Sequence, residues 1–299
     1  MGDPFAARVR ATGGGPEHPS RCGEGGMSDM TGPDMNAVVG EQDLLLVTLD
    51  ALRYDVAVEL AAAGRLPNLS RVLPEGGWQR RYTPASLAFA AHTAFLAGYL
   101  PTPAEPGPHP RLFAARLGDT ESTNAHTWLF DTPDLPSALT KAGYHTACIG
   151  GVGCFDKQGA HDSVLPGMFA ESHWDPELGV TSPISFEAQV ARAELVVGGL
   201  DPDRRLFLLV DVAAIAQPNW FHTPGATAAD GDNRDTHAAA LEYVDRHIGR
   251  LFRAMSCRRP CFAIVTGDHG TAYDERAEAG REVVWTVPYA HFTMSPGEW

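Results

Sequence analysis

Leu44-Leu45-Leu46-Val47-Thr48-Leu49-Asp50 is an apolar run closed by a carboxylate. With so little polar alternation, residues 43–49 fit a strand buried on both faces, as the central strands of parallel sheets are. A carboxylate directly after such a strand sits at the carboxyl edge of the sheet, where open α/β folds place their sites. The pattern returns late in the chain: residues 261–266 form a second apolar run, followed by Gly267-Asp268-His269-Gly270. Working outward, the sequence predicts strands over 144–149 and 206–212, and an irregular last one over 283–292. Helices are predicted over 56–63, 69–73 (started by Pro67-Asn68), 83–97, 134–143, 186–197 and 234–255. Asp134 and Pro136 supply a cap and a first turn for the fourth of these. In the last, Leu241, Val244, Ile248, Leu251 and Phe252 share a face. Strands alternating with helices imply an α/β fold, a largely parallel central sheet with helices on both faces.

Composition narrows the function. Of 299 residues, 44% are hydrophobic and 20% charged, as in ordinary globular chains. The net charge of -14 has no basic concentration to neutralise phosphates, which argues against nucleic acid and anionic membranes as partners. No window approaches eighteen uncharged apolar residues, so no transmembrane helix is expected. The five cysteines read as free thiols of a reducing compartment, giving a cytoplasmic expectation. Cys257 and Cys261 lack the second pair that a structural zinc site needs. Residues 1–38 are Gly- and Pro-rich without periodicity or a secretory pattern. They read as a disordered tail or a start-site artefact, with Met27, Met30 and Met35 as alternative starts. Residues 39–299 read as one domain.

Two carboxylates and an imidazole, Asp50, Asp268 and His269, would converge at one sheet edge and form a site for a divalent cation. Taken singly, Asp50 reads equally as a helix cap or turn residue, whereas Asp268-His269-Gly270 after a buried strand favours the metal reading.

Five segments together resemble the alkaline phosphatase and sulfatase superfamily. Residues 46–55 resemble its opening strand and first metal-binding Asp. His92-Thr93-Ala94-Phe95-Leu96-Ala97-Gly98-Tyr99-Leu100-Pro101 is similar to its small-residue helix ending in Thr-Gly-x-x-Pro. Ala142-Gly143-Tyr144-His145-Thr146 resembles its Ala-Gly-Tyr-x-Thr unit. Residues 245–251 and Val287-Pro288 resemble the segments flanking its Asp-His-Gly. The resemblance covers about residues 43–292 in order and points to the small bacterial sulfatase-like hydrolases. It implies hydrolysis of a phosphate or sulfate ester, with one or two divalent ions (Zn, Mg, Mn or Ca) clamping the transferred group. It makes Asp50, Asp268 and His269 ligands of the ion that holds the nucleophile, and His92 a catalytic residue. The implied partner is a small-molecule ester substrate or ligand.

The chain departs from that pattern at three chemical roles. The nucleophile position, ten residues before Gly98, is Ala88, and no cysteine lies near it, which excludes a formylglycine sulfatase. Ser86 and Thr83 are the nearest hydroxyls, Ser86 being the substitute nucleophile considered. The His-x-Pro of the second metal is Ala216-Gln217-Pro218, leaving Asp211 as a possible ligand and His222 as the nearest spare imidazole. Arg281 stands where a further histidine is expected, and a guanidinium there replaces charge without binding metal. Two functions therefore stay open: a hydrolase with altered catalysis, or a catalytically degenerate protein that binds a ligand or partner. Gly150-Gly151-Val152-Gly153 after a strand leaves dinucleotide binding as a distant third reading.

Overall fold

The computed structural model describes residues 32–98, 113–114, 128–129, 134–160, 162–273 and 282–299. The chain divides into Met1–Met35 and Asn36–Trp299, and the architecture below belongs to the second unit. Residues 1–31 of the expected tail, the Pro-rich connection over 101–110 and Arg281 lie outside the described residues.

In chain order the elements are α1 (Met35–Val38), β1 (Asp43–Leu49), α2 (Tyr54–Ala62), α3 (Pro67–Ser70), β2 (Gln79–Tyr82) and α4 (Ala88–Ala97). The two-residue strands β3 (Phe113–Ala114) and β4 (Trp128–Leu129) pair with each other, followed by α5 (Leu135–Lys141), β5 (Tyr144–Ile149) and β6 (Glu171–His173). The chain continues with α6 (Ser185–Gly199), β7 (Arg205–Val212), α7 (Arg234–Ser256), β8 (Cys261–Gly267), α8 (Glu282–Trp285) and β9 (Thr286–Met294). Seven strands form one sheet in the order β2-β9-β8-β1-β7-β5-β6. The β1, β5, β6, β7 and β8 pairings are parallel, and β9 runs antiparallel to both β8 and β2. The sheet is therefore mixed and mostly parallel.

Side-chain alternation along the central strands splits the core in two. Leu45, Val47 and Leu49, with Leu206, Leu208, Val210 and Val212, pack under α2, α6 and α7. Leu44, Phe207, Leu209 and Phe262 point the other way, against Leu96 of α4 and Leu139 of α5. Burial on both faces explains why these strands read as unbroken apolar runs. Each fully buried Leu or Val contributes about 1.5–3 kcal/mol of transfer free energy. Among the described residues no helix is long and apolar enough to cross a membrane.

Three predicted elements differ. The short helix expected over 69–73 lies over Pro67–Ser70, with Pro67 in its first turn. The helix expected over 83–97 begins only at Ala88, because Pro84 restrains Thr83 to extended backbone and Leu87 is extended as well (φ -142°, ψ 136°). Gly98 then ends the helix in the left-handed conformation, at φ 73°. The strand expected from residue 283 starts at Thr286, after the helical turn α8.

Candidate metal centre

Each candidate ligand arrives from the carboxyl end of a buried parallel strand. Asp50 follows β1, and Asp268-His269 follows β8. The two strands pair with Leu49 opposite Gly267, so the residues after them leave the sheet side by side. One ligand atom each from Asp50, Asp268 and His269 lies within 4.8 Å of the others, the one such grouping among the described residues.

Hydrogen bonds separate the committed atoms from the free ones. Asp268 Oδ1 accepts from the backbone N–H of Ala51 at 3.1 Å and of His269 at 2.7 Å. Asp268 Oδ2 and Asp50 Oδ1 are buried and, among the described residues, face only imidazole nitrogens and each other, at long range. The imidazole of His269 donates Nδ1–H to the Gly270 carbonyl at 2.9 Å. That bond fixes Nε2 at 3.4 Å from Asp50 Oδ1 and 3.7 Å from Asp268 Oδ2. A tetrahedral ion with ligands at about 2.0–2.2 Å sets them about 3.3–3.6 Å apart, close to the two separations measured from Nε2. A histidine ligand oriented through its other nitrogen is the usual support. Three protein ligands leave a fourth position open. Two carboxylates and an imidazole suit zinc or manganese better than calcium, which takes about six to eight oxygens.

The charges without an ion are strained. Burial and the Asp50 charge push the Asp268 carboxyl well above its ordinary range. Burial acts the same way on Asp50, but the His269 hydrogen bond and charge outweigh it and hold Asp50 below that range. Burial opposes protonation of His269, yet Asp50 and Asp268 raise it to about 10. A cation between these groups removes the repulsion.

Asp211, on β7 beside Thr48, stands behind this triangle with both oxygens engaged. Its Oδ1 accepts from Thr48 Oγ1 at 3.2 Å and lies 3.3 Å from His92 Nε2. Its Oδ2 accepts from Gly151 N at 3.1 Å and Val152 N at 2.9 Å. Gly151 is required here, because a Cβ would fall on the Asp211 carbonyl oxygen and 2.7 Å from Ala213 Cβ. The Gly151 and Val152 amides thus serve an internal carboxylate, and a 3-10 turn follows over Gly153–Phe155, unlike a dinucleotide loop.

His92 lies on α4, donating Nδ1–H to Ala88 O at 2.8 Å, with Nε2 2.9 Å from Thr48 Oγ1. Burial lowers its basicity, but the Asp211 hydrogen bond and charge, with Asp268, raise it to about 9. Its imidazolium is therefore a fixed cation, 3.8 Å from Asp268 Oδ2. Ala88 is the first residue of α4, one turn before His92. Ser86 is half-buried in the preceding loop, and Thr83 Oγ1 is spent on the carbonyls of Ala85 and Asp268. His222 stacks on Tyr243 with centroids 4.3 Å apart, and burial pushes it down to about 4. Sequence spacing does not single out Thr48, His237, Asn219 or Tyr273. The one legible signal is Thr48, the single polar residue within the 44–49 stretch of β1.

Solved structures share this fold. The lipoteichoic acid synthase LtaP from Listeria monocytogenes matches with a TM-score of 0.60 and 14% identity, over 89% of this chain and 68% of its own. The zinc complex of the C-terminal periplasmic domain of EcEptC from Escherichia coli matches with 0.58 and 15%, over 87% and 74%. Streptococcus pyogenes phosphoglycerol transferase GacH, in complex with sn-glycerol-1-phosphate, matches with 0.52 and 10%, over 85% and 69%. These neighbours are alkaline phosphatase superfamily members, so the expected fold is the observed one. No protein-family model matches the chain, and no curated protein matches it.

Proposed function

We propose that this chain is a metal-dependent hydrolase of a small phosphate ester, built on the alkaline phosphatase fold and using one divalent ion. Asp50, Asp268 and His269 would hold that ion. The observation that carries the reading is the pair of buried carboxylate oxygens, Asp50 Oδ1 and Asp268 Oδ2, that face an oriented His269 Nε2 at 3.4 and 3.7 Å. The ion would supply Lewis-acid polarisation and an acidified water. The methyl of Ala88 offers no atom for a covalent ester, so water is the attacking group in this reading. His92 holds a positive charge behind Asp268, where it offsets charge of the bound ester. Phosphate is preferred to sulfate because the GacH structure holds sn-glycerol-1-phosphate.

Ala88 also favours a second reading, a protein that binds an ester ligand and does not turn it over. One experiment separates them. Zinc- or manganese-loaded protein is assayed on aryl phosphate monoesters, diesters and sulfates, beside Asp50→Ala and Ala88→Thr. Wild-type hydrolysis that Asp50→Ala abolishes supports the hydrolase. Silent wild type with activity gained in Ala88→Thr supports the binding protein and overturns the hydrolase.

A further inference from the structure

The loops beside the metal triangle are joined by a ring of hydrogen bonds that the proposed reaction leaves unused. Ala51 sits at φ 62°, a left-handed conformation that a non-glycine residue keeps only where its surroundings hold it. Its N–H donates to Asp268 Oδ1 at 3.1 Å. Two residues on, Arg53 N–H donates to His237 Nε2 at 3.3 Å. Because that nitrogen accepts, the proton of His237 is on Nδ1, which donates to Tyr273 Oη at 3.0 Å. Asn219 Nδ2 donates to the same phenol oxygen at 3.1 Å, and Gln217 is a further hydrogen-bonding neighbour. Asn219 is itself fixed, donating to Ile215 O at 2.8 Å and accepting from Thr236 Oγ1 at 2.6 Å.

Tyr273 lies four residues after His269, and Arg53 three after Asp50. The ring therefore closes through both ligand-bearing loops: Asp268, Ala51, Arg53, His237, Tyr273 and back along the chain to His269. It clamps the turn that follows Asp50 at two points, with Asp268 holding Ala51 and His237 holding Arg53. His237 is fully buried, so no water substitutes for its phenol partner.

We infer that Tyr273 is a positioning residue for the divalent site, acting through His237 to hold the turn that aims Asp50 at Asp268 and His269. This rests on the metal reading above. Its test is zinc affinity, read by competition with a chromophoric chelator, in wild type, Tyr273→Phe, His237→Ala and His237→Gln. Melting temperatures are recorded on the same zinc-free samples. Tyr273→Phe and His237→Ala should weaken zinc by about ten- to hundredfold, the usual effect of losing an outer hydrogen bond. The side-chain carbonyl introduced by His237→Gln still accepts from Arg53 N–H, so that variant should recover part of the loss. Wild type that binds one zinc while Tyr273→Phe binds it equally overturns the inference alone. So does an affinity loss that merely follows the melting temperature, without recovery in His237→Gln. Wild type that binds no zinc overturns the metal reading itself, and this inference with it.

Discussion

The carboxylate of Asp211 is committed to His92: Oδ1 lies 3.3 Å from Nε2 in a pair closed to solvent. The Gly151 and Val152 amides take the other oxygen, so Asp211 keeps no lone pair aimed at a neighbouring cation. The His92 imidazole thus stands next to the Asp50, Asp268 and His269 grouping, in the place where a second ion would need Asp211.

Removing Asp211 should therefore cost stability and leave metal content alone. Asp211→Ala strands a buried cation and two amides, a loss of about 3–5 kcal/mol. Elemental analysis should still find one zinc per chain, whereas Asp50→Ala should bind none.

Ion binding should show as thermal stabilisation. Zinc at about a hundred times its dissociation constant adds about 2.7 kcal/mol, a melting rise of roughly 5–10 °C for a domain of this size. Scanning calorimetry on Asp50→Ala should show no rise.

Gly151 and Gly153 make a matched pair. Gly151→Ala drives a methyl into the Asp211 carbonyl and Ala213, and should cost about 2 kcal/mol or more. Nothing lies within 4 Å of a methyl at 153, so Gly153→Ala should stay within about 0.5 kcal/mol of wild type in urea unfolding.

His237 should make the fold acid-sensitive. Burial, with the Arg53 and Arg234 charges, pushes its pKa down from 6.5 to about 3. The unfolded chain takes up this proton near pH 6.5 and the folded chain only near pH 3. Its stability contribution is intact above about pH 6.5 and is lost as pH falls toward 3, reaching about 2–3 kcal/mol at pH 4.5. Urea midpoints across that range should fall less steeply in His237→Gln.

Much of the architecture was legible because it is local. The 44–49 and 261–266 runs, the Asp134 cap and the face shared by Leu241, Val244 and Ile248 each appear where expected. The start of α4 was missed because Pro84 and the tie between Thr83 and the Asp268 carbonyl overrule the helical propensity of residues 85–87. The turn at α8 was missed because four residues carry too little periodicity to separate from a strand.

By itself the sequence determined the strand ends that carry Asp50, Asp268 and His269, because hydrophobic period and a closing carboxylate are written in consecutive residues. It also determined that position 88 holds a methyl. Only the tertiary structure decided which polar atoms are satisfied. Asp211 turned to His92 and the Gly151 loop, and Tyr273 met His237 of α7 across 36 residues of chain, contacts that tertiary packing sets and no local pattern encodes.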